Sequence, residues 1–480
     1  MKRKFITNLI LLVFLNLLVK PFWIFGIDRT VQNLVGDQSY GFYFALFNFS
    51  MILNILLDLG ITNYNNRNIA RHNFLLPKHL SNIVGLKLVL AIVYAIFSLT
   101  VAAIIGYDKI QFHLLFFLIF NQFLISFTLY LRSNISALHL FRTDSIVSVL
   151  DRTIMIAICS VLLFHSSFRP FFTIEWFVYA QTVAYIISAL ITFAIVLKKS
   201  GKISVRFDIR FFLVFLRKSY PYALLILLMS LYNRIDSVML ERLLPGETGH
   251  EQAGIYAQAF RLLDAVSMFG VLIAGLLLPI FSKMIKQREP VGEMVKLSFT
   301  LLIVPAIVIA VSCVYYDGEI MSLLYKSNTA YSSDILGILM IGFIGIATTY
   351  IFGTLLTANG SLKQLNIMAF SGMVLNVVLN LILIPRLQAY GSAYASLSTQ
   401  VFTGITQLII ALSIFRLKPG FKYILQILIF TAFAIALAIF TKKMDNWIFG
   451  YLTMIAGSVL FAFIIRLFSI RDMLKIILYR

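Results

Sequence analysis

Two short stretches place charges where a membrane helix seldom carries them. They are Tyr232-Asn233-Arg234-Ile235-Asp236, and Ala253-Gly254-Ile255-Tyr256 followed by Arg261 and Asp264. Both lie in segments, 222–243 and 254–281, that are otherwise apolar over spanning length. A charge at the centre of a spanning helix costs at least about 2.5–3.5 kcal/mol, so it turns toward a bundle interior or a wet cavity. Arg234 is near the middle of its segment, where snorkelling to either surface is hard, and reads as a cavity-facing group. Asp236 follows roughly 200° further around the helix, so it cannot pair with Arg234. One of them faces a neighbouring span and the other the cavity. Arg261 and Asp264, three residues apart, share a face and can form an ion pair. A structural lock and a substrate contact are equal readings of that pair.

Five more charges fall within spans. Asp151 and Arg152 lie about two turns into segment 145–165; adjacent side chains point differently, so at least one needs a partner elsewhere. Lys20 and Lys87 are within snorkelling reach of an interface. Asp58 ends a span. The spans therefore hold five cations (Lys20, Lys87, Arg152, Arg234, Arg261) and four acids (Asp58, Asp151, Asp236, Asp264). That excess suits an anionic ligand, phosphate above all, which a guanidinium holds in bidentate fashion. Tyr232 is a further binding candidate, and Tyr43 and Tyr256 lie near the same places. With 44 Phe, 22 Tyr and 3 Trp in the chain, aromatic faces alone select no ligand.

No enzymatic constellation accompanies these charges. H-E-x-x-H, G-x-S-x-G and G-x-x-x-x-G-K-[ST] are all missing, so no metal, nucleophile-elbow or direct ATP reading stands. The six histidines (72, 79, 113, 139, 165, 250) are scattered, and Cys159 and Cys313 each sit in an apolar run without a disulfide or thiolate pattern. The expectation is a chain without catalytic residues or cofactors.

Composition bounds the elements that position the charges. Sixty per cent apolar residues, 12% charged and a mean hydropathy of +0.92 exclude an ordinary soluble domain. The net charge of +20 does not indicate nucleic acid, because the basic residues lie between apolar runs rather than on one basic face. Met1-Lys2-Arg3-Lys4 resembles the opening of a signal peptide, but the apolar run 5–27 is too long for one and reads as an uncleaved first span. Fourteen spans are expected, at about 5–27, 40–60, 82–106, 110–131, 145–165, 175–197, 222–243, 254–281, 297–316, 334–358, 364–384, 391–415, 421–440 and 446–467. With both termini cytoplasmic, the inside segments carry 27 Lys and Arg and the outside loops 8, as the positive-inside rule asks.

The richest basic segment, 198–221, divides the chain into a bundle 1–197 and a bundle 222–415, six spans each, followed by two helices and a basic tail in 416–480. Gly41-Phe42-Tyr43 with Phe47 matches Gly254-Ile255-Tyr256 with Phe260 at a constant offset of 213 residues. An even number of spans per half makes this a parallel pseudo-repeat, the arrangement of rocker-type transporters. Segments 63–80 and 471–480, basic and apolar in alternation, read as interfacial anchors on membrane lipid. The fold expected is all-α and integral to the membrane.

Several stretches also resemble a family. Leu34-Val35-Gly36, Leu57-Asp58-Leu59-Gly60, Asn68-Ile69-Ala70-Arg71, Ile235-Asp236-Ser237-Val238-Met239-Leu240, Leu278-Pro279-Ile280-Phe281-Ser282-Lys283, and Leu375-Asn376 to Pro385 with Tyr390-Gly391-Ser392-Ala393 are similar to the polysaccharide-biosynthesis flippases. These are the Wzx-type O-antigen and capsule translocases of the multidrug/oligosaccharidyl-lipid/polysaccharide exporter superfamily. The matches run from about residue 30 to 400. The resemblance implies two six-helix bundles in a V around a cationic cavity, in a multi-pass protein of the bacterial inner membrane. It implies alternating-access transfer of an undecaprenyl-pyrophosphate-linked oligosaccharide to the outer leaflet, working alongside other polysaccharide-assembly proteins. Arg234 and Arg152 are then the first candidates for the pyrophosphate, ahead of Arg261, Lys20, Lys87 and Tyr232, and Asp236, Asp264 or Asp151 would couple an ion. The alternative is an ion-coupled multidrug antiporter of the same superfamily, which calls for an acid-dominated cavity.

Overall fold

The computed structural model describes residues 11, 14–62, 65–66, 69, 74, 76–138, 140–200, 209–418 and 420–468. The signal-like opening 1–10, most of the anchor 63–75, part of the basic segment (201–208) and the tail 471–480 lie outside the described residues.

Among the described residues every regular element is helical. Fourteen α-helices follow in order: α1 (Arg29–Ile52), α2 (Leu76–Ile104), α3 (Lys109–Ala137), α4 (Phe141–Phe164), α5 (Ile174–Ser200), α6 (Ile209–Leu243), α7 (Gly246–Gln287), α8 (Gly292–Tyr315), α9 (Asp317–Leu324), α10 (Thr329–Asn359), α11 (Leu362–Leu387), α12 (Ala389–Phe415), α13 (Phe421–Thr441) and α14 (Trp447–Ile464). Twelve helices among the described residues are long and apolar enough to cross a membrane, and each overlaps one of the third to fourteenth spans read from hydropathy, with ends that differ by up to eight residues at Gly246–Gln287. The protein is an all-α membrane protein. In lipid only a helix or a closed barrel satisfies its own backbone, which is why apolar runs of this length fold so. Helix α2 shows how such a span meets lipid: Leu88, Ile92 and Ile96, four apart on one face, are 48, 60 and 62% exposed.

The first two spans differ from expectation. Residues 14–22 are helical, a π-helical turn Trp23–Asp28 follows, and α1 continues at once. No loop separates them; the bend comes inside α1 at Gly36, with φ 82° and ψ 166°, a conformation essentially closed to residues with a Cβ. The second span ends in a 3-10 turn, Asn54–Leu57, where Leu59 and Gly60 both adopt positive φ.

Two compact units emerge. The first comprises residues 1–241 and 246–254, and the second 242–245 and 255–480. In the first, α3 packs along α5, and α1, α2, α4 and α7 complete the core around buried Tyr40, Tyr43, Phe44, Tyr94, Tyr130 and Phe177. Helix α7 enters it through one close approach. A Cβ on Gly41 would run into the His250 carbonyl and the Gly254 nitrogen, and a Cβ on Gly254 into the Asp37 backbone. The two glycines that mark the sequence repeat thus pack against each other's helix.

In the second unit α10 and α12 form the central pair, joined by α8, α11, α13 and α14. Lys283, Lys286, Arg288, Lys296, Arg416, Lys418, Lys422 and Arg466 gather at the end where α7, α12 and α14 finish. The opposite end carries Lys326, Arg386, Lys442 and Lys443.

Candidate functional site

In the first unit the candidate charges fall into three settings. Around Arg234, α6 meets α1. Asn48 donates to the Ser237 hydroxyl at 2.9 Å and accepts from the Arg234 guanidinium at 3.3 Å. Asn48, Ser237, Tyr232 and Asp236 are all buried, whereas Arg234 is half-buried. One turn of helix therefore presents a partly solvated cation on one side and a buried carboxyl on the other. This matches the angular separation of residues two apart.

Arg152, on α4, is held differently. Its guanidinium lies over the Trp23 ring at 5.4 Å and the Tyr185 ring at 5.8 Å, and its Nε is 3.8 Å from Asp151. Trp23 stacks on Phe177, Phe177 meets Tyr43 edge-on at 5.4 Å, and Gln181 donates to the Tyr43 hydroxyl. This aromatic frame holds the guanidinium by its faces, which suits a delocalised cation better than an ammonium. The side chain is 27% exposed, so part of it stays open to solvent or ligand. Lys20 lies within the electrostatic reach of Arg152, Asp151 and Arg132. Arg132 is itself paired to Asp144 at 2.9 Å.

Lys87 is the third setting, and it does not reach an interface. Its ammonium is 1% exposed and contacts the Asp58 carboxylate at 2.6 Å, the Leu57 carbonyl at 2.8 Å and the Ser126 hydroxyl at 3.0 Å. Three donors meet three acceptors at the unwound end of the second span. The lysine caps the Leu57 carbonyl at the broken end of the helix.

In the second unit Arg261 and Asp264 form the pair that their spacing predicts, at 4.0 Å with side chains 12 and 22% exposed. Tyr256 stacks on Phe260 with ring centroids 5.6 Å apart and planes at 28°. In the first unit Tyr43 stacks on Phe47 at 5.7 Å and 29°. The sequence repeat is therefore also a repeat of local side-chain geometry.

Residues 7–285 match the polysaccharide biosynthesis protein family, more than half the chain. The chain belongs to that family. Among curated proteins, the Lipid III flippases of Escherichia coli (strain K12) and Shigella flexneri are each 28% identical over 184 residues, 38% of this chain. The matched stretch spans only 43% of those relatives' own length. The fold is that of the Lipid II flippase MurJ in its inward closed conformation, with a TM-score of 0.72 over 98% of this chain and 100% of that one at 16% identity. An inward-facing multidrug resistance MATE family transporter of the MOP superfamily has a TM-score of 0.63 over 84% and 94%, at 13% identity.

Other polar groups of this family member escape a reading of hydropathy. Glu241, buried, accepts from Gln111 at 2.7 Å and lies 3.3 Å from His250 Nε2. Asp28, equally buried, accepts from the Tyr40 hydroxyl at 2.8 Å. A signal for both was present: Asp28-Arg29 and Glu241-Arg242 are separated by the same 213 residues as Gly41 and Gly254. Asn48 stands at that offset from Arg261.

Proposed function

We propose that this protein is a flippase that carries an undecaprenyl-pyrophosphate-linked oligosaccharide from the cytoplasmic to the outer leaflet of the bacterial inner membrane. It does so by alternating access, with both termini cytoplasmic and no covalent chemistry, and the sugar chain is destined for a surface polysaccharide. Membership of the polysaccharide biosynthesis family and likeness to flippases of lipid-linked sugars support the reading. The observation that carries it is the pair of half-buried arginines, Arg234 on Asn48 and Arg152 between Trp23 and Tyr185. Each is kept in a membrane helix at a cost and left partly exposed, as a binder of a phosphorylated head requires. Lys20 adds charge beside Arg152, and Arg261 and Tyr232 complete the binding set, while Lys87, committed to Asp58, contributes by holding the site's framework. Asp236, Asp264 and Asp151 are the groups to titrate if transport is ion-coupled.

The test is Arg234→Ala in cells that depend on this chain for surface polysaccharide. Polysaccharide is lost while the protein level in the membrane stays unchanged; wild-type polysaccharide removes Arg234 from the mechanism. Likeness to a multidrug transporter favours a second reading, ion-coupled export of cationic drugs. Export of a cationic dye by the wild-type chain, abolished by Asp236→Asn, would establish it instead.

A further inference from the structure

The end of the second unit that carries Lys442 also gathers three carboxylates from two helices. Asp317 opens α9 and is half-buried. Its Oδ1 accepts from the Gly318 amide at 2.7 Å, and its Oδ2 lies against α10, 3.9 Å from where a Cβ on Gly337 would stand. Asp334, one turn before Gly337 and on the same face of α10, accepts from the Tyr390 hydroxyl at 2.5 Å. Glu319 pairs at 2.5 Å with Lys442, which follows the last residue of α13. The Lys442 ammonium also lies 5.1 Å over the Tyr316 ring, and Tyr316 donates to the Thr441 hydroxyl at 2.9 Å. Cys313 on α8 and Tyr451 on α14, which meets Tyr316 edge-on at 5.5 Å, are the remaining titratable neighbours. The end of α8, α9, α10 and the turn between α13 and α14 thus meet in one knot.

We propose that Asp317 is a proton-operated clamp on this knot: protonated, it lets α9 close on α10 and on the α13–α14 turn, and ionised, it loosens them. The charges are unequal. Asp334 and Glu319 oppose a negative charge on Asp317, and Lys442, already paired to Glu319, is the cation set against them. Burial first, then those two carboxylates, push the Asp317 carboxyl above the usual carboxylate range, against the pull of the Gly318 amide and Lys442. A carboxyl raised in this way stabilises the closed form below its unfolded-state pKa, and the gain is lost as pH rises through the raised value. Among the described residues no group of three acids, histidines or cysteines is set to hold a metal ion, so a proton is the neutralising species. On the proposed orientation this end faces outward, and the clamp answers to acidity outside the membrane. Its closure does not depend on what the protein carries.

The test is therefore independent of transport. Hydrogen exchange of the full-length protein in lipid nanodiscs is followed by mass spectrometry at pH 8 and pH 5.5, and each rate is corrected for the chemical exchange rate at that pH. Local opening governs this exchange. Peptides covering α9 and the α13–α14 turn gain protection at pH 5.5 in the wild-type chain. Asp317→Asn, which keeps the shape of the protonated acid, shows the high protection at both pH values. Asp334→Asn, on another helix, removes one of the opposing charges and narrows the wild-type difference. Equal protection at the two pH values in the wild-type chain overturns the proposal, as does a full wild-type difference in Asp317→Asn. Should Asp317→Asn misfold, as its elution profile would show, an undiminished difference in Asp334→Asn overturns it instead.

Discussion

Lys87 and Asp58 show what a single intramembrane charge does when it is not available to a ligand. The ammonium is buried, neutralised and hydrogen-bonded to its full capacity at the frayed end of the second span. Removing it leaves the Asp58 carboxylate without its counter-charge, served only by Thr62, and the Leu57 carbonyl served only by the Ser126 hydroxyl. Lys87→Met is expected to destabilise the protein by about 3 kcal/mol, at the low end for a broken buried pair because Asp58 keeps some solvent. Thermal unfolding of the detergent-solubilised protein measures this, and the double variant with Asp58→Asn recovers much of the loss. Arg234 and Arg152 contrast with it: each keeps an exposed portion. The difference was not legible in the chain, since hydropathy gives depth but not the partner 29 residues away. Lys87 within snorkelling reach and Lys87 as a cap look alike in sequence. Arg261 and Asp264, by contrast, were legible because their contact is local to one helix.

Helices were the most legible part of the chain, for a physical reason. A spanning helix must satisfy its backbone internally and show apolar side chains for about 20 residues, so its signal is local and strong. The basic breaks then place the ends. What hydropathy missed is backbone geometry: the join of the first two spans through a π-helical turn, and the bend at Gly36 inside α1. The repeat of Gly41 and Gly254 was visible as spacing, yet its physical meaning, the close crossing of α1 and α7, needed coordinates. The added methyl of Gly254→Ala would strike the Asp37 backbone, which cannot rotate away as a side chain can. The variant is expected to lose about 1–3 kcal/mol, read as a lower melting temperature. Gly275→Ala, where a Cβ meets open space, is the control that should melt like wild type.

Across the whole molecule, the two units carry related motifs with the same stacking geometry, Tyr43 on Phe47 and Tyr256 on Phe260. Around those motifs their charges have diverged: a hydrogen-bonded Asn48 stands in one where Arg261 stands in the other. The proposed transport of a phosphorylated lipid depends on the arginines acting on the phosphates. The direct measurement is translocation in sealed proteoliposomes containing the full-length protein and an undecaprenyl-pyrophosphate-linked oligosaccharide. Outer-leaflet arrival is followed by a membrane-impermeant sugar label. The wild-type protein should move the lipid, and the Arg234→Ala, Arg152→Ala protein, folded and inserted to the same level, should slow it by at least about a hundredfold, two charge-assisted contacts' worth. Equal rates for the two proteins would contradict the account.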